Sequence, residues 1–294
     1  MVLANPSTLV IYPGNDKPYF LKGHGREKGA YVRVGSSNRM ADLPTIAELE
    51  RQRLNISYDS TSLFGASLDD LVNSSIDEYM SLREEVRGIP KEPLSKRLLL
   101  KLRLAKQEGE EIYPTRGGIL LFGKSPLDYF PYGAIKCARF KGKDINEFID
   151  QQEISGRLKD QVEKAMKFFK RNVRRSARIK GLYREEKYEY PSDAIREAII
   201  NAVVHRDYNM SGSDIKFAIF DDRIEITSPG ALPIGILLEE LGTGSSEIRN
   251  RVIAKIFKDI GLIEEWGRGI RIMRERMNQW GLKLPLFERR RELL

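Results

Sequence analysis

The chain has little of the chemistry that side chains contribute on their own. Its 294 residues include a single cysteine, Cys137, two histidines, His24 and His205, and two tryptophans. One thiol excludes an internal disulfide framework and fits a reducing cytoplasm. One thiol and two imidazoles cannot build a typical zinc site. No stretch approaches the roughly 18 apolar residues that cross a bilayer. The Met-Val-Leu-Ala-Asn-Pro start has neither a charged n-region nor a long apolar h-region, so it does not read as a signal peptide. Internal repeats and low-complexity segments are also missing.

What is present is a charged chain of globular composition, 41% hydrophobic and 31% charged, with a net charge of +8. The length suits two domains or three small modules. The positive excess permits nucleic-acid binding without requiring it. It concentrates between Lys164 and Lys180, where eight basic residues are separated by Ala, Met, Phe, Asn, Val, Ser and Ile.

The chain is organised around Tyr190–Tyr208. Pro191 sets a helix start, and Ser192 or Asp193 can cap it. Ile195, Ala198, Ile199, Ala202 and Val203 share an apolar face. Glu197, Asn201 and His205 recur every fourth residue and form a polar stripe. Such a helix can cover a sheet while presenting polar groups to a ligand.

Before it, residues 7–12 and 30–34 read as strands, the second running into the turn-like Gly35–Arg39. A helix is expected from Thr45, one or two more over 68–87, and another over Leu94–Gln107. Ala134–Phe140 alternates like a strand. A strong helix is predicted over Leu158–Val173, with a basic surface reaching residue 180, and a short strand over Tyr188–Tyr190. After the focal helix, Ile215–Phe220 and Arg223–Thr227 make a hairpin about Asp221-Asp222. Residues 241–250 read as loop. Val252–Ile260 and Ile270–Trp280 read as helices, the latter opened by Gly267-Arg268-Gly269.

Gly118-Ile-Leu-Leu-Phe-Gly-Lys-Ser125 matches the P-loop spacing. Its four bulky apolar residues suit a buried strand or helix rather than a phosphate-binding turn. Pro126 disfavours a helix running straight on from Ser125.

Glu197-x-x-x-Asn201, His205-Arg-Asp-Tyr208, the following hairpin, Ser228-Pro-Gly-Ala-Leu-Pro233 and Glu265-Trp-Gly-Arg-Gly-Ile270 together resemble the GHKL, or Bergerat-fold, ATP-binding domain. The likeness is to the variant at the C-terminal side of RecG-related helicases and transcriptional regulators. Thr115–Lys124 and Lys136–Lys141 resemble that family's middle region. Gly29–Asn38 resembles the end of its Schlafen-type AlbA domain, whose front half is missing.

The resemblance implies an α/β (α+β) protein. A partial AlbA-like, DNA-binding module is expected at 1–47, a mixed helical and strand region at 48–180, and a GHKL-type sandwich at 181–294. It also implies that ATP and Mg²⁺ are cofactors. Asn201 would hold the metal, Glu197 would orient or deprotonate the attacking water, and Gly267 and Gly269 would approach phosphate. His205, Ser228, Gly230, Arg249 and Asn250 complete the expected nucleotide site, with residues 231–266 including a lid. The family's adenine-binding Asp is replaced here by the Ser228-Pro-Gly segment. Against these roles, His205 and Arg206 can simply cap carbonyls while Asp207 pairs locally.

Arg33, Asn38 and Arg39 in the first module, and Lys167, Arg171 and Arg174 in the basic segment, are the candidate DNA contacts. The expected protein is a cytoplasmic, ATP-responsive, DNA-associated regulator without a membrane partner, and a homodimer is compatible with it. A weak ATPase or helicase-associated enzyme is a second reading. A scaffold that has lost nucleotide binding is the third.

Overall fold

Proline and glycine punctuate the chain where the backbone changes direction, and the elements between them follow the local pattern with several exceptions. The computed structural model describes residues 14, 16–34, 37–180, 183–232, 238, 241–242, 247–263 and 268–289. It separates into two units, Met1–Ser57 and Tyr58–Leu294. The strand expected over 7–12 lies outside the described residues.

In the first unit a short helix α1 (Gly25–Gly29) leads into the antiparallel hairpin β1 (Tyr31–Val34) and β2 (Ser37–Met40), then helix α2 (Leu43–Arg53). Residues 37–39, expected in a turn, are therefore paired strand. Asp42 caps α2 by accepting from the Thr45 N–H at 2.9 Å. Ala30, Ala41 and Ile46 form a small core, with Val32 packed against it.

The second unit opens with helices α3 (Asn73–Arg87) and α4 (Lys96–Lys101). Gly88 ends α3 in the left-handed region at φ 65°. The helix expected to run through Gln107 stops early. Arg103 takes a positive φ of 58°, and the chain continues as β3 (Ala105–Glu108) paired with β4 (Glu111–Pro114). Tertiary contact overrides propensity here: Leu102 and Leu104 are both buried, and the Leu104 carbonyl accepts from the Thr115 N–H.

Helices α5 (Arg116–Phe122) and α6 (Pro126–Tyr129) follow. The P-loop look-alike lies largely within α5, capped by the Thr115 hydroxyl, which accepts from the Gly118 N–H at 3.0 Å. Gly118 faces the Leu104 carbonyl so closely that a Cβ would lie 2.2 Å from its oxygen. This is a helix packed on backbone, with no phosphate cradle.

Strands β5 (Ile135–Phe140) and β6 (Phe148–Ile154) precede helix α7 (Leu158–Asn172). The basic segment then leaves the helix: Val173 is extended and buried, and β7 (Arg175–Lys180) pairs with β8 (Tyr183–Tyr188). The basic helical surface expected to reach residue 180 thus ends at Asn172. The strand expected at 188–190 begins five residues earlier. Helix α8 (Ser192–Val204), strands β9 (Ile215–Ile219) and β10 (Ile224–Thr227), and helices α9 (Arg251–Asp259) and α10 (Gly269–Gln279) complete the described elements.

The sheet runs in the order β10-β9-β5-β6, with β5 parallel to β9 and the other pairs antiparallel. Ile135, Cys137, Ile215 and Phe217 point to its buried side; Lys136 and Lys216 point away and are exposed. α7 and α8 cover the buried side, and α10 packs against α8. Phe168 of α7 meets Phe217 edge-on at 6.2 Å. One core extends from α3 through α9. No helix among the described residues is long and apolar enough to cross a membrane.

Candidate nucleotide site

α8 buries Ala194, Ile195, Ile199, Ile200, Ala202, Val203 and Val204. This leaves Glu197, Asn201 and His205 on its partly open side, one turn apart. Pro191 occupies the N-cap, so no side chain caps the helix there; the Asp193 carboxylate instead accepts from the Ala194 N–H and pairs with Arg276 of α10 at 2.6 Å.

Glu197 makes a second contact between the two helices. A Cβ placed on Gly269, the first residue of α10, would lie 1.7 Å from Glu197 Oε1. Only a residue without a side chain lets the start of α10 approach this carboxylate, and a carboxylate is favoured at a helix N-terminus. Asn201 Nδ2 donates to the same Oε1 at 3.2 Å. That orientation leaves Asn201 Oδ1 without a hydrogen bond among the described residues. A single amide oxygen suits a magnesium ion that keeps waters and takes its other ligands from phosphates. No group of three His, Cys, Asp or Glu among the described residues could cage a metal.

At the far end of α8 the chain is locked. Arg206 is buried; its Nη2 donates to the carbonyls of Tyr132 at 2.6 Å and Ser213 at 2.8 Å, and its guanidinium lies 4.9 Å from the Tyr208 ring centroid. Asn250, fully buried at the start of α9, donates through Nδ2 to the carbonyls of Val204 and Arg206, both at 2.8 Å. Arg249 pairs with Asp207 at 2.8 Å and also donates to the Ala231 carbonyl. The Ser228 hydroxyl donates to the Ala202 carbonyl at 2.7 Å.

Gly230 adopts φ 118°, and a Cβ there would lie 2.8 Å from that of Asp207 and 3.1 Å from Arg249 Nη1. Burial, and then the Arg249 charge, lower the pKa of His205. The neutral imidazole is therefore favoured at this end of α8.

The expected nucleotide residues therefore fall into two groups. Glu197, Asn201 and Gly269 converge at the α8–α10 contact. His205, Ser228, Gly230, Arg249 and Asn250 gather at the α8 C-terminus, where Ser228, Arg249 and Asn250 hold backbone carbonyls. Gly267 lies outside the described residues, as do residues 233–237, 239–240, 243–246 and 264–266 of the expected lid, whereas 251–259 of that span form α9, packed into the core. Sequence reasoning treated Asp207 as a local partner, and its carboxylate does accept from the Asn209 N–H at 3.0 Å; it also faces Gly230 and pairs with Arg249, which no local pattern showed. Of the expected DNA contacts, Arg33 donates to Asn38 across the β1–β2 hairpin at 3.4 Å, and Arg39 lies on β2. Lys167 and Arg171 are exposed on α7, and Arg174 follows that helix.

Residues 212–294 match the HATPase_c_4 family model, described as "Putative ATP-dependent DNA helicase recG C-terminal". The matched segment contains β9, β10, α9 and α10 and starts after α8, so Glu197 and Asn201 precede it. Among solved structures, the DIP2311 protein from Corynebacterium diphtheriae shares the fold with a TM-score of 0.60 and 22% identity, over 87% of this chain and 50% of that one. The chain thus spans half the length of that protein. No curated protein matches the sequence. The C-terminal segment is therefore similar to an ATPase-like, RecG-related domain family, in a mixed α/β protein.

Proposed function

We propose that the second unit is a GHKL-type nucleotide-binding sandwich and that the protein is an ATP-responsive, DNA-associated regulator. The observation that carries this reading is the convergence of Glu197, Asn201 and Gly269, a carboxylate and an amide one turn apart against a glycine-opened helix. Backbone N–H groups at the α10 start suit phosphate oxygens. Asn201 Oδ1 would hold Mg²⁺, which supplies charge neutralisation on the phosphates. Glu197 would orient a water and accept its proton. If hydrolysis occurs, the water oxygen bonds to the terminal phosphorus as the bond to the bridging oxygen breaks, giving ADP and phosphate.

Calorimetry with ATP in the presence and absence of Mg²⁺, on wild type and Asn201→Ala, tests the reading. Wild type binds with a Mg²⁺-dependent gain, and the variant loses that gain. ATP turnover by wild type that disappears in Glu197→Ala while binding is retained makes the protein an ATPase.

One observation favours a second reading. Ser228, Arg249 and Asn250 are all engaged by the protein itself, which suits a scaffold that no longer takes a nucleotide. No rise in melting temperature at millimolar ATP with Mg²⁺ selects it, because any ligand specific to the folded state stabilises that state.

A further inference from the structure

The exposed side of α7 is a strongly charged surface that the nucleotide reading leaves unused. Residues 164–175 carry Lys164, Lys167, Lys170, Arg171, Arg174 and Arg175 and no acidic residue. All six are exposed. At 3.6 residues per turn, Lys164, Lys167, Lys170 and Arg171 fall within an arc of about 120°, over about 10 Å of helix. The opposite side is buried through Leu158, Gln161, Val162, Ala165, Phe168 and Phe169.

The neighbouring charges do not cancel this ridge. Asp160 and Glu163 lie at its N-terminal end and pair with Arg157 and Lys159. Asp150 of β6 pairs with Arg171, leaving that residue partly neutralised. Arg174 lies near Asp221, which Arg139 already holds. Lys164, Lys167 and Lys170 form no ion pair among the described residues. The helix dipole rewards cations in the last turn, which accounts for Lys170 and Arg171 but not for Lys164 and Lys167 farther in.

We infer that Lys164, Lys167 and Lys170 form a docking ridge for the phosphodiester backbone of a nucleic-acid duplex. Charge is what the ridge offers. Phe168 is buried beneath Arg171, so it gives bases no stacking platform of the kind that single-strand binders use. A duplex carries about one negative charge per 1.7 Å of axis, twice the density of one strand, and rewards such a surface more. The apolar face of α7 is spent in the core, so the helix has nothing to insert into a membrane. The inference rests on the nucleic-acid part of the proposed function and is independent of its nucleotide part.

The test is fluorescence anisotropy with the full chain, a labelled mixed-sequence duplex and the matching single strand, from 50 to 200 mM salt (about the range over which phosphate contacts show their salt dependence). Wild type binds the duplex more tightly than the strand. In the triple variant Lys164→Gln/Lys167→Gln/Lys170→Gln the slope of log K against log salt falls by about 2.7, corresponding to three phosphate contacts. Triple Arg replacement restores it, and circular dichroism shows both variants folded.

An unchanged slope in the Gln variant while wild type binds overturns the ridge alone. Equal affinity for the strand overturns the duplex assignment. Displacement by poly-L-glutamate at equal charge points to an acidic protein instead, and equal binding to phosphatidylserine vesicles points to a membrane; either overturns the inference. Failure of wild type to bind any nucleic acid removes the DNA part of the proposed function as well, while ATP calorimetry still reports separately on the nucleotide site.

Discussion

Glu197 and Gly269 occupy one another's space: the carboxylate of one helix fills the position that a side chain on the other would need, 1.7 Å from its Oε1. Gly269→Ala therefore forces Glu197 to swing away from Asn201 and from the start of α10. The displaced group is the end of a flexible side chain, so the fold survives with a loss of about 1–3 kcal/mol. The cost shrinks when the carboxylate is removed, so Glu197→Ala/Gly269→Ala is more stable than the sum of the single changes. A double-mutant cycle by urea denaturation measures this coupling. Additive effects would show that the contact has no energetic content.

Asn250 joins the start of α9 to the end of α8 through two hydrogen bonds to carbonyls, and it is fully buried. Asn250→Ala leaves the carbonyls of Val204 and Arg206 without that donor, at a cost of about 2–3 kcal/mol. For a unit of this size the melting temperature falls by about 5–10 °C. Asn250→Asp is worse, because it sets a carboxylate against two carbonyl oxygens. Differential scanning calorimetry of the three proteins checks the order, and an unchanged melting temperature in Asn250→Ala would mean that the clamp contributes nothing.

Cys137 lies on the buried side of β5 at 3% exposure, and burial pushes its thiol pKa up to about 12. The thiolate is the nucleophile, so the native protein should react with a disulfide reagent such as Ellman's only through opening of the sheet. In a urea titration, labelling is expected to rise together with the loss of far-ultraviolet dichroism. Complete labelling within minutes in native buffer would contradict this.

These relationships were unequally visible in the chain. α8 was legible because a proline start, a 3.6-residue apolar period and a four-residue polar stripe coincide in one segment. α7 was legible for most of its length, but its end was not: the basic residues continue past Val173, and only burial of that β-branched residue turns the backbone into a strand. β6 went unread because, at the sheet edge, its Asp150-Gln-Gln-Glu153 centre carries no apolar alternation. β3 was hidden by helix-favouring residues and by a left-handed Arg103 where a glycine would have signalled the turn. In the candidate site, Glu197 and Asn201 could be paired from their spacing. The clamp from Asn250 back to Val204 and the pairing of Arg249 with Asp207 join residues more than forty positions apart, and no local pattern encodes them.

His205 provides a pH signature of its own. Only one other histidine exists, the exposed His24. Burial and the Arg249 charge depress the folded-state pKa of His205 below its ordinary 6.5. Above 6.5 both the folded and unfolded chains carry a neutral imidazole, so the group contributes no pH dependence. Below it the unfolded chain binds a proton that the folded protein refuses, and stability drops as pH falls until the folded pKa is reached. One proton limits the slope to about 1.4 kcal/mol per pH unit. Urea denaturation between about pH 7.5 and 5.5 is expected to show this decline in wild type. Arg249→Ala lessens it by relieving the repulsion, and His205→Gln abolishes it. The carboxylates with lowered pKa, such as Asp42 and Asp70, act in a separate and more acidic window. A wild-type profile as flat as that of His205→Gln would place the imidazole in water instead of at the protected end of α8.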